Sequence, residues 1–386
     1  MRVRRCSLLF LEPREEVAFS LDSLCQGGAG LQRSQRWLAI APHLEEDMEV
    51  TVAERELLGM VSPSEWVQRD TLSLDADRLV ALGLLVSDQP EQAANRERDE
   101  SLRAAHWWPA AALMHRRSRW QGIDSAAAME RNGTVTAADL RHKLGPPPPP
   151  VLVRNSGSPR LELSREPQDE FDALLSRRTT CRNFNSARAL PRVLFSRMLQ
   201  RVFAAQALVK IEEDTAFLKR TSPSSGCLHS IGAYLLVQHV EDMAPGLYHY
   251  HPLDHALEPM QGPPQPLAEL ATRLLAGQYW FANAHVLVML AARYTRGFWK
   301  YRQHAKAYRA VLLDIGHLSQ TLYLSATDLG LGAFVTSAVN EIDIEQALGL
   351  DPLAEGPLAV CGFGWRGPRM ETSEFDPLGR VWPRNA

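Results

Sequence analysis

No apolar run in this chain approaches the ~18 residues that a membrane helix needs, and Leu79–Val86 is only a short apolar segment. Cysteine is sparse. Cys6, Cys25, Cys181, Cys227 and Cys361 are odd in number and show no CxxC spacing, which argues against a structural zinc site or a disulfide framework and fits a reducing compartment. Charge of one sign is missing as well: 42 Lys and Arg stand against 45 Asp and Glu, a balance that speaks against bulk nucleic-acid binding. The basic start Met1-Arg2-Val3-Arg4-Arg5 resembles the front of a secretion signal. The apolar stretch behind it, Leu8–Leu11, is stopped by Glu12 and Pro13, so a cytoplasmic protein is expected. There is no internal repeat. What is present is ordinary globular usage, 45% hydrophobic and 23% charged, over 386 residues, enough for two or three domains.

The sharpest punctuation is Gly145 followed by Pro146–Pro150, a stiff spacer that no helix or central strand tolerates. A polar stretch with Asn155, Ser156, Gly157, Ser158 and Pro159 follows it. We therefore expect an N-terminal domain over residues 1–145, a linker over 146–160 and a C-terminal domain over 161–386. In the first, helical spacing at 52–58 and from Asp75 to Leu82, a further turn at Pro63–Trp66, then Gly83 and the apolar Leu84–Val86, outline a small, mainly helical, winged-helix-like domain. Residues 101–119 suggest a helix broken at Pro109 and ending in Arg116, Arg117 and Arg119. In the second, helices are expected at 167–175, 191–208, 267–275 and 305–329. Strands are expected at 233–240, 285–292 and 358–363, with a hairpin joining 246–250 to 256–260. Helices interleaved with strands indicate an α+β or α/β layered fold.

Three groups of residues carry chemistry. Arg178-x-Thr180-x-Arg182-x-Phe184 places two guanidiniums and a hydroxyl at alternate positions, on one side of an extended segment. Guanidinium forks match phosphate oxygens bidentately. Ser222-Pro223-Ser224-Ser225-Gly226 precedes a strand, and its small residues let backbone amides approach a planar ligand. Trp299-Lys300-Tyr301, Tyr308-Arg309, Asp314-x-Gly316-His317 and Gln320 run into Gly330-Leu331-Gly332. A lysine between aromatics is expected to be desolvated and so usable as an acid or base. Asp314 and His317 are neighbours on one helix face. Each group alone also fits a structural role: a basic turn, a loop feeding a strand, a helix-face pair. His249, His251 and His255 lack a thiol or acidic partner beyond Asp254, and no metal site is expected from them.

Taken in order, with Gly246-Leu247-Tyr248-His249-Tyr250 between them, these motifs over residues 170–365 resemble the FMN-dependent nitroreductase fold. Lys300-Tyr301 with Tyr308-Arg309 is similar to the SagB-type dehydrogenases of peptide maturation. The resemblance implies a homodimer with FMN at the subunit interface. Arg178, Thr180 and Arg182 would hold the phosphate and ribityl chain, and Arg366 is an additional phosphate candidate. Pro223, Ser224, Ser225 and Gly226 would line the ring, with Leu331 and Gly332 close by, and Lys300 and Tyr301 would be the acid/base pair. Thr180 stands where serine is commoner and keeps the hydroxyl; Cys227 and Leu228 stand where small residues are more usual. The implied activity is an FMN-dependent dehydrogenation of an azoline-like residue in a ribosomally made precursor peptide, with a cyclodehydratase as a further partner. Two alternatives stay open: an NAD(P)H-dependent nitro- or quinone reductase, and a non-catalytic flavin-fold binding or regulatory protein.

Overall fold

The computed structural model describes residues 1–154, 157 and 159–383; the expected polar linker residues Asn155, Ser156 and Ser158 lie outside the described residues. The chain forms two compact units. One holds residues 1–119, 293–309 and 351–355, and the other holds 120–292, 310–350 and 356–386.

The first unit contains β1 (Arg2–Arg5), β2 (Phe10–Phe19), β3 (Leu31–Ile40), β4 (Met48–Val50), β5 (Val67–Gln68) and β6 (Leu85–Ser87). β1 is the centre of an antiparallel sheet, with Val3 opposite both Val67 and Ser87. Two helices pack on it, Val52–Met60 and Asp75–Ala81, and bury Leu57, Leu58, Leu79 and Val80 with Val3, Leu84 and Leu85. The first begins at a capping box in which the Thr51 hydroxyl accepts from the N–H of Glu54 and the Glu54 carboxylate accepts from that of Thr51. Gly83, with φ of 76°, turns the second helix into β6, so the expected helix–helix–strand outline is present. Residues 63–66 instead form bends leading into β5, because their few apolar side chains follow no helical period. The expected break at Pro109 is present: one helix, Ala93–Ala104, ends before it and Pro109 starts a new one, Pro109–Ser118. Arg117 and Arg119 at its end pair with Glu12, Asp47 and Glu45.

The sequence pattern did not announce the β2–β3 ribbon, ten residues in each strand. Its outer part is exposed on both faces and carries cross-strand ion pairs such as Glu15–Arg33, so it lacks the alternation that marks a half-buried strand.

The second unit is built on one sheet. Its strands are β9 (Ile231–Val237), β10 (Gly246–His251), β11 (Ala256–Met260), β12 (Val286–Arg293), β13 (Gly332–Thr336) and β14 (Glu355–Gly364), in the order β11-β10-β9-β12-β14-β13. β9, β10, β11 and β12 join antiparallel, as do β13 and β14. Leu236, Leu287, Met289, Phe334 and Val360 from the sheet meet Leu270, Leu274 and Ile344 from flanking helices. A separate hairpin, β7 (Ala207–Lys210) with β8 (Ala216–Lys219), takes the end of the helix expected at 191–208, which stops at Phe203. The longest helix, Ala307–Asp328, is buried at Val311, Asp314, Ile315, Leu318, Leu322 and Tyr323 and exposes Leu313, Gly316, His317 and Gln320.

Candidate functional site

After the helix Glu170–Arg177 the chain becomes an extended strap. Thr179, Cys181 and Asn183 are buried, while Arg178, Thr180 and Arg182 are half-exposed, so side chains alternate as they do in a strand. Two short bridges fix the strap, the first through a backbone hydrogen bond. Thr180 pairs in parallel with Ala333, the Cys181 N–H donates to the Ala333 carbonyl at 2.8 Å, and Phe184 pairs with Arg366. Gly332 makes the close approach possible: a Cβ there would lie 2.5 Å from Cys181 Sγ. Gly332 therefore packs the strap onto β13, and Leu331 beside it is buried.

The outward residues form a set. Arg178 lies 5.4 Å over the ring of Tyr323, and Arg182 lies 5.8 Å over that of Phe281. Among the described residues neither guanidinium has a carboxylate within ion-pair distance. Thr180 Oγ1 is 3.0 Å from the Tyr323 hydroxyl, whose oxygen accepts the N–H of Val335 at 3.1 Å. Burial raises the Tyr323 pKa, so the phenol keeps its proton and can donate it to Thr180, leaving the threonine proton to point outward. Two cations without a carboxylate partner, of which Arg182 donates to the Ser373 carbonyl at 3.4 Å, and a hydroxyl on one side of a braced segment suit the donor set that a phosphate monoester needs.

Arg366 is placed differently. Its guanidinium is ion-paired with Glu374, donates to Thr179 Oγ1 at 3.1 Å, and lies 5.6 Å over the Trp382 ring.

The serine turn is pinned by the long helix. The Asp314 carboxylate, buried, accepts the Ser225 N–H at 3.0 Å and the Ser225 hydroxyl at 3.1 Å. Burial raises the Asp314 pKa, against the lowering effect of those bonds and of His317 nearby. Ser222 Oγ is 2.7 Å from Thr321 Oγ1, and Ser224 Oγ accepts the His229 N–H at 2.8 Å. Gly226 (φ 62°), Cys227 (φ 57°) and His229 (φ 45°) are left-handed, so two residues with a Cβ are held in a conformation that costs ~1–3 kcal/mol each. Asp314, His317 and Thr321 share one helix face. Tyr323 is nine residues beyond Asp314, about two and a half turns and ~14 Å along the axis. The serine turn and the strap thus brace against opposite flanks of the same helix.

Lys300 and Tyr301 end the helix Tyr294–Lys300 in the first unit. The desolvation expected for Lys300 is absent: Lys300 is exposed and Trp299 is itself 49% exposed, while Phe298 points into the core. The Lys300 ammonium lies 5.5 Å from the Tyr301 ring centroid. A buried neutral knot holds this segment. Trp107 packs its ring with centroid 4.4 Å from Tyr294, tilted, and 4.8 Å from Phe298, edge to face, and its indole N–H donates to the Leu353 carbonyl at 2.9 Å. His115 Nε2 is 3.0 Å from the Pro352 carbonyl and must carry the proton, so Nδ1 accepts from the hydroxyls of Tyr294 and Tyr308, each at 3.4 Å.

Sequence reasoning had no signal for Tyr323, Thr321 or Glu374, which act through contacts the chain pattern does not encode. The hairpin histidines turn to local partners: His249 to Glu258, His251 to Asp254, and His255 to Ser196 and Tyr250.

Residues 175–365 match the nitroreductase family. The chain is 28% identical over 196 residues to a protein named as a nitroreductase in Methanocaldococcus jannaschii, covering 50% of this chain and 89% of that one. It is also 28% identical to the trifolitoxin-processing protein TfxB of Rhizobium leguminosarum and to the microcin B17-processing protein McbC of Escherichia coli. Those alignments span 37% and 39% of this chain and only 39% and 56% of the two relatives. Among solved structures, a chain of the E. coli microcin synthetase McbBCD complex with truncated pro-MccB17 bound aligns with a TM-score of 0.52 at 22% identity, over 77% of this chain and 98% of that one, a likeness of fold. The family match and the observed sheet and strap agree: residues 175–365 are a nitroreductase-family domain, carried behind an N-terminal region of small sheets and helices.

Proposed function

We propose that this chain is an FMN-dependent oxidoreductase of peptide maturation, a dehydrogenase of the SagB type. The observation that carries the flavin reading is the outward set Arg178, Thr180 and Arg182, two guanidiniums without carboxylate partners flanking a hydroxyl braced 3.0 Å from the Tyr323 hydroxyl. These residues would grip the phosphate, with Arg366 behind them. Pro223, Ser224, Ser225 and Gly226 would line the ring edge, held by Asp314. When bound, FMN supplies the acceptor for a hydride taken from an azoline-like residue.

Lys300 and Tyr301 are proposed to remove the accompanying proton. The exposed Lys300 ammonium lies 5.5 Å from the Tyr301 ring, so the two candidate proton-transfer groups sit side by side. The similarity to two peptide-processing proteins supports a precursor peptide as substrate; the N-terminal region is proposed to handle it by analogy with winged-helix modules that add a peptide strand to a sheet edge. Placement of the serine turn and the strap on opposite flanks of one helix supports a homodimer. A strap from one copy and a turn from the other would then enclose each flavin, and the exposed Leu313, Gly316, His317 and Gln320 face would be covered.

The test is a titration of the purified chain with FMN, followed by co-expression with candidate precursor peptides. Replacing both Arg178 and Arg182 by alanine is expected to weaken FMN binding by about a hundredfold or more, since each charge-assisted contact contributes ~1.5–3 kcal/mol. Lys300→Ala and Tyr301→Phe are expected to keep the flavin and lose the two-hydrogen mass decrease in the peptide. A wild-type chain that binds no FMN would falsify the reading. Rapid anaerobic bleaching of the bound flavin by NAD(P)H, with no peptide modified, would replace it with the reductase activity suggested by the named nitroreductase relative.

A further inference from the structure

Behind the strap lies a buried carboxylate that the flavin reading does not use. The Glu374 side chain is fully buried. Its Oε1 accepts the N–H of Arg182 at 2.7 Å, the N–H of Asn183 at 3.1 Å and the Asn183 amide at 2.8 Å. Its Oε2 accepts from the Arg366 guanidinium and from the Trp382 indole at 2.8 Å. Five donors converge on about four lone-pair sites, so the carboxylate is saturated. From the strap side, Asn183 Oδ1 accepts the N–H groups of Glu371 and Thr372, each at 2.8 Å, and its amide also donates to the Thr372 carbonyl at 2.7 Å. The segment after β14 is thereby sewn to the inward side of the strap, and the Arg182 guanidinium also reaches this segment, donating to the Ser373 carbonyl at 3.4 Å.

We propose that Glu374 is a positioning residue for the anionic tail of the flavin. It fixes the backbone at Arg182–Asn183, so that Arg178, Thr180 and Arg182 present their donors together. A buried carboxylate near a phosphate site would by itself repel the ligand. The ion pair with Arg366 cancels that charge, so the outward field of Arg178 and Arg182 is left undiminished. Arg366 thus serves the phosphate by neutralising Glu374 rather than by reaching for it. This inference rests on the flavin reading above but concerns only the phosphate end of the ligand.

The experiment compares FMN with riboflavin, which has the same ring and no phosphate, by fluorescence titration of the full chain. Two variants are used: Glu374→Gln, and Asn183→Ala, which loosens the same seam while keeping the carboxylate and its arginine. Both are expected to weaken FMN about tenfold or more and to leave riboflavin within about twofold. Equal losses for the two flavins would mean a general structural role and would overturn the proposal, as would unchanged FMN binding. A wild-type chain that binds neither flavin rejects the cofactor reading itself. One that binds both equally rejects the phosphate grip, while the ring site survives.

Discussion

The two units brace their candidate functional segments with opposite chemistry. The segment 293–309, which carries Lys300 and Tyr301, is held by a neutral knot of Trp107, His115, Tyr294, Phe298 and Tyr308. The strap is held by an ionic knot of Glu374, Arg366 and Asn183. A neutral knot costs little to bury and adds no field to the groups it supports. An ionic knot must be complete, because each unmet donor or charge inside it carries a desolvation penalty. The first should therefore respond to pH through its histidine alone, and the second should fail sharply when one member is lost.

The largest expected effect tests the second half of that contrast. Glu374→Ala leaves the Arg366 guanidinium and four N–H donors without their acceptor, and should destabilise the chain by about 3–5 kcal/mol in urea unfolding. An equal cost for His115→Phe at neutral pH would erase the distinction between the knots.

The next tests the first half. Burial, helped by Arg119 and Arg116, pushes the His115 pKa down to about 3 from an ordinary 6.5. As pH falls from 6.5 toward 3 the unfolded chain takes up a proton that the folded chain refuses. Stability from this residue is therefore full above 6.5 and drains by about 1.4 kcal/mol per pH unit across that window. His115→Phe should flatten the slope of unfolding free energy measured between about pH 6.5 and about pH 4.5 by that amount. Some slope should remain, because burial also lowers the pKa values of His43 and His285.

Gly332→Ala should cost about 1–3 kcal/mol, by pushing the strap off β13 where Cys181 now sits. Cys181→Ala in the same chain should recover part of it, which thermal unfolding of the single and double variants would show. The smallest effect is expected on the β2–β3 ribbon. There Arg33→Ala breaks an exposed pair with Glu15 and should change stability by less than about 1 kcal/mol.

Much of the second unit was legible in the sequence because its signals are strong. β11 falls at 256–260 as expected, and β9, β10, β12 and β14 fall within a few residues of expectation, since buried strands read as apolar runs bounded by turns. The strap was legible as well: Arg178, Thr180 and Arg182 at alternate positions project to one side. Three features were hidden for distinct reasons. β13 begins inside a glycine-rich exit whose glycine reads as a loop but packs against Cys181. The outer part of the ribbon β2–β3 is solvated on both faces, so no period marks it. Glu374 lies 192 residues from the backbone N–H it holds at Arg182, and no local pattern reports a contact of that span. The expected desolvation of Lys300 failed because neighbours in sequence are not neighbours in burial: Phe298 turns inward, while Trp299 and Lys300 turn to solvent.

The two-residue beat of the strap has a consequence for how this chain can vary. Substitutions at Arg178, Thr180 or Arg182 would retune the grip on a ligand one contact at a time. Loss or gain of a single residue between 178 and 183 would instead invert every residue on one side of the change, so Arg178 and Arg182 could no longer face the same way. Length there is under stricter physical constraint than identity, and a library that diversifies this stretch should fix its spacing and vary only its outward letters.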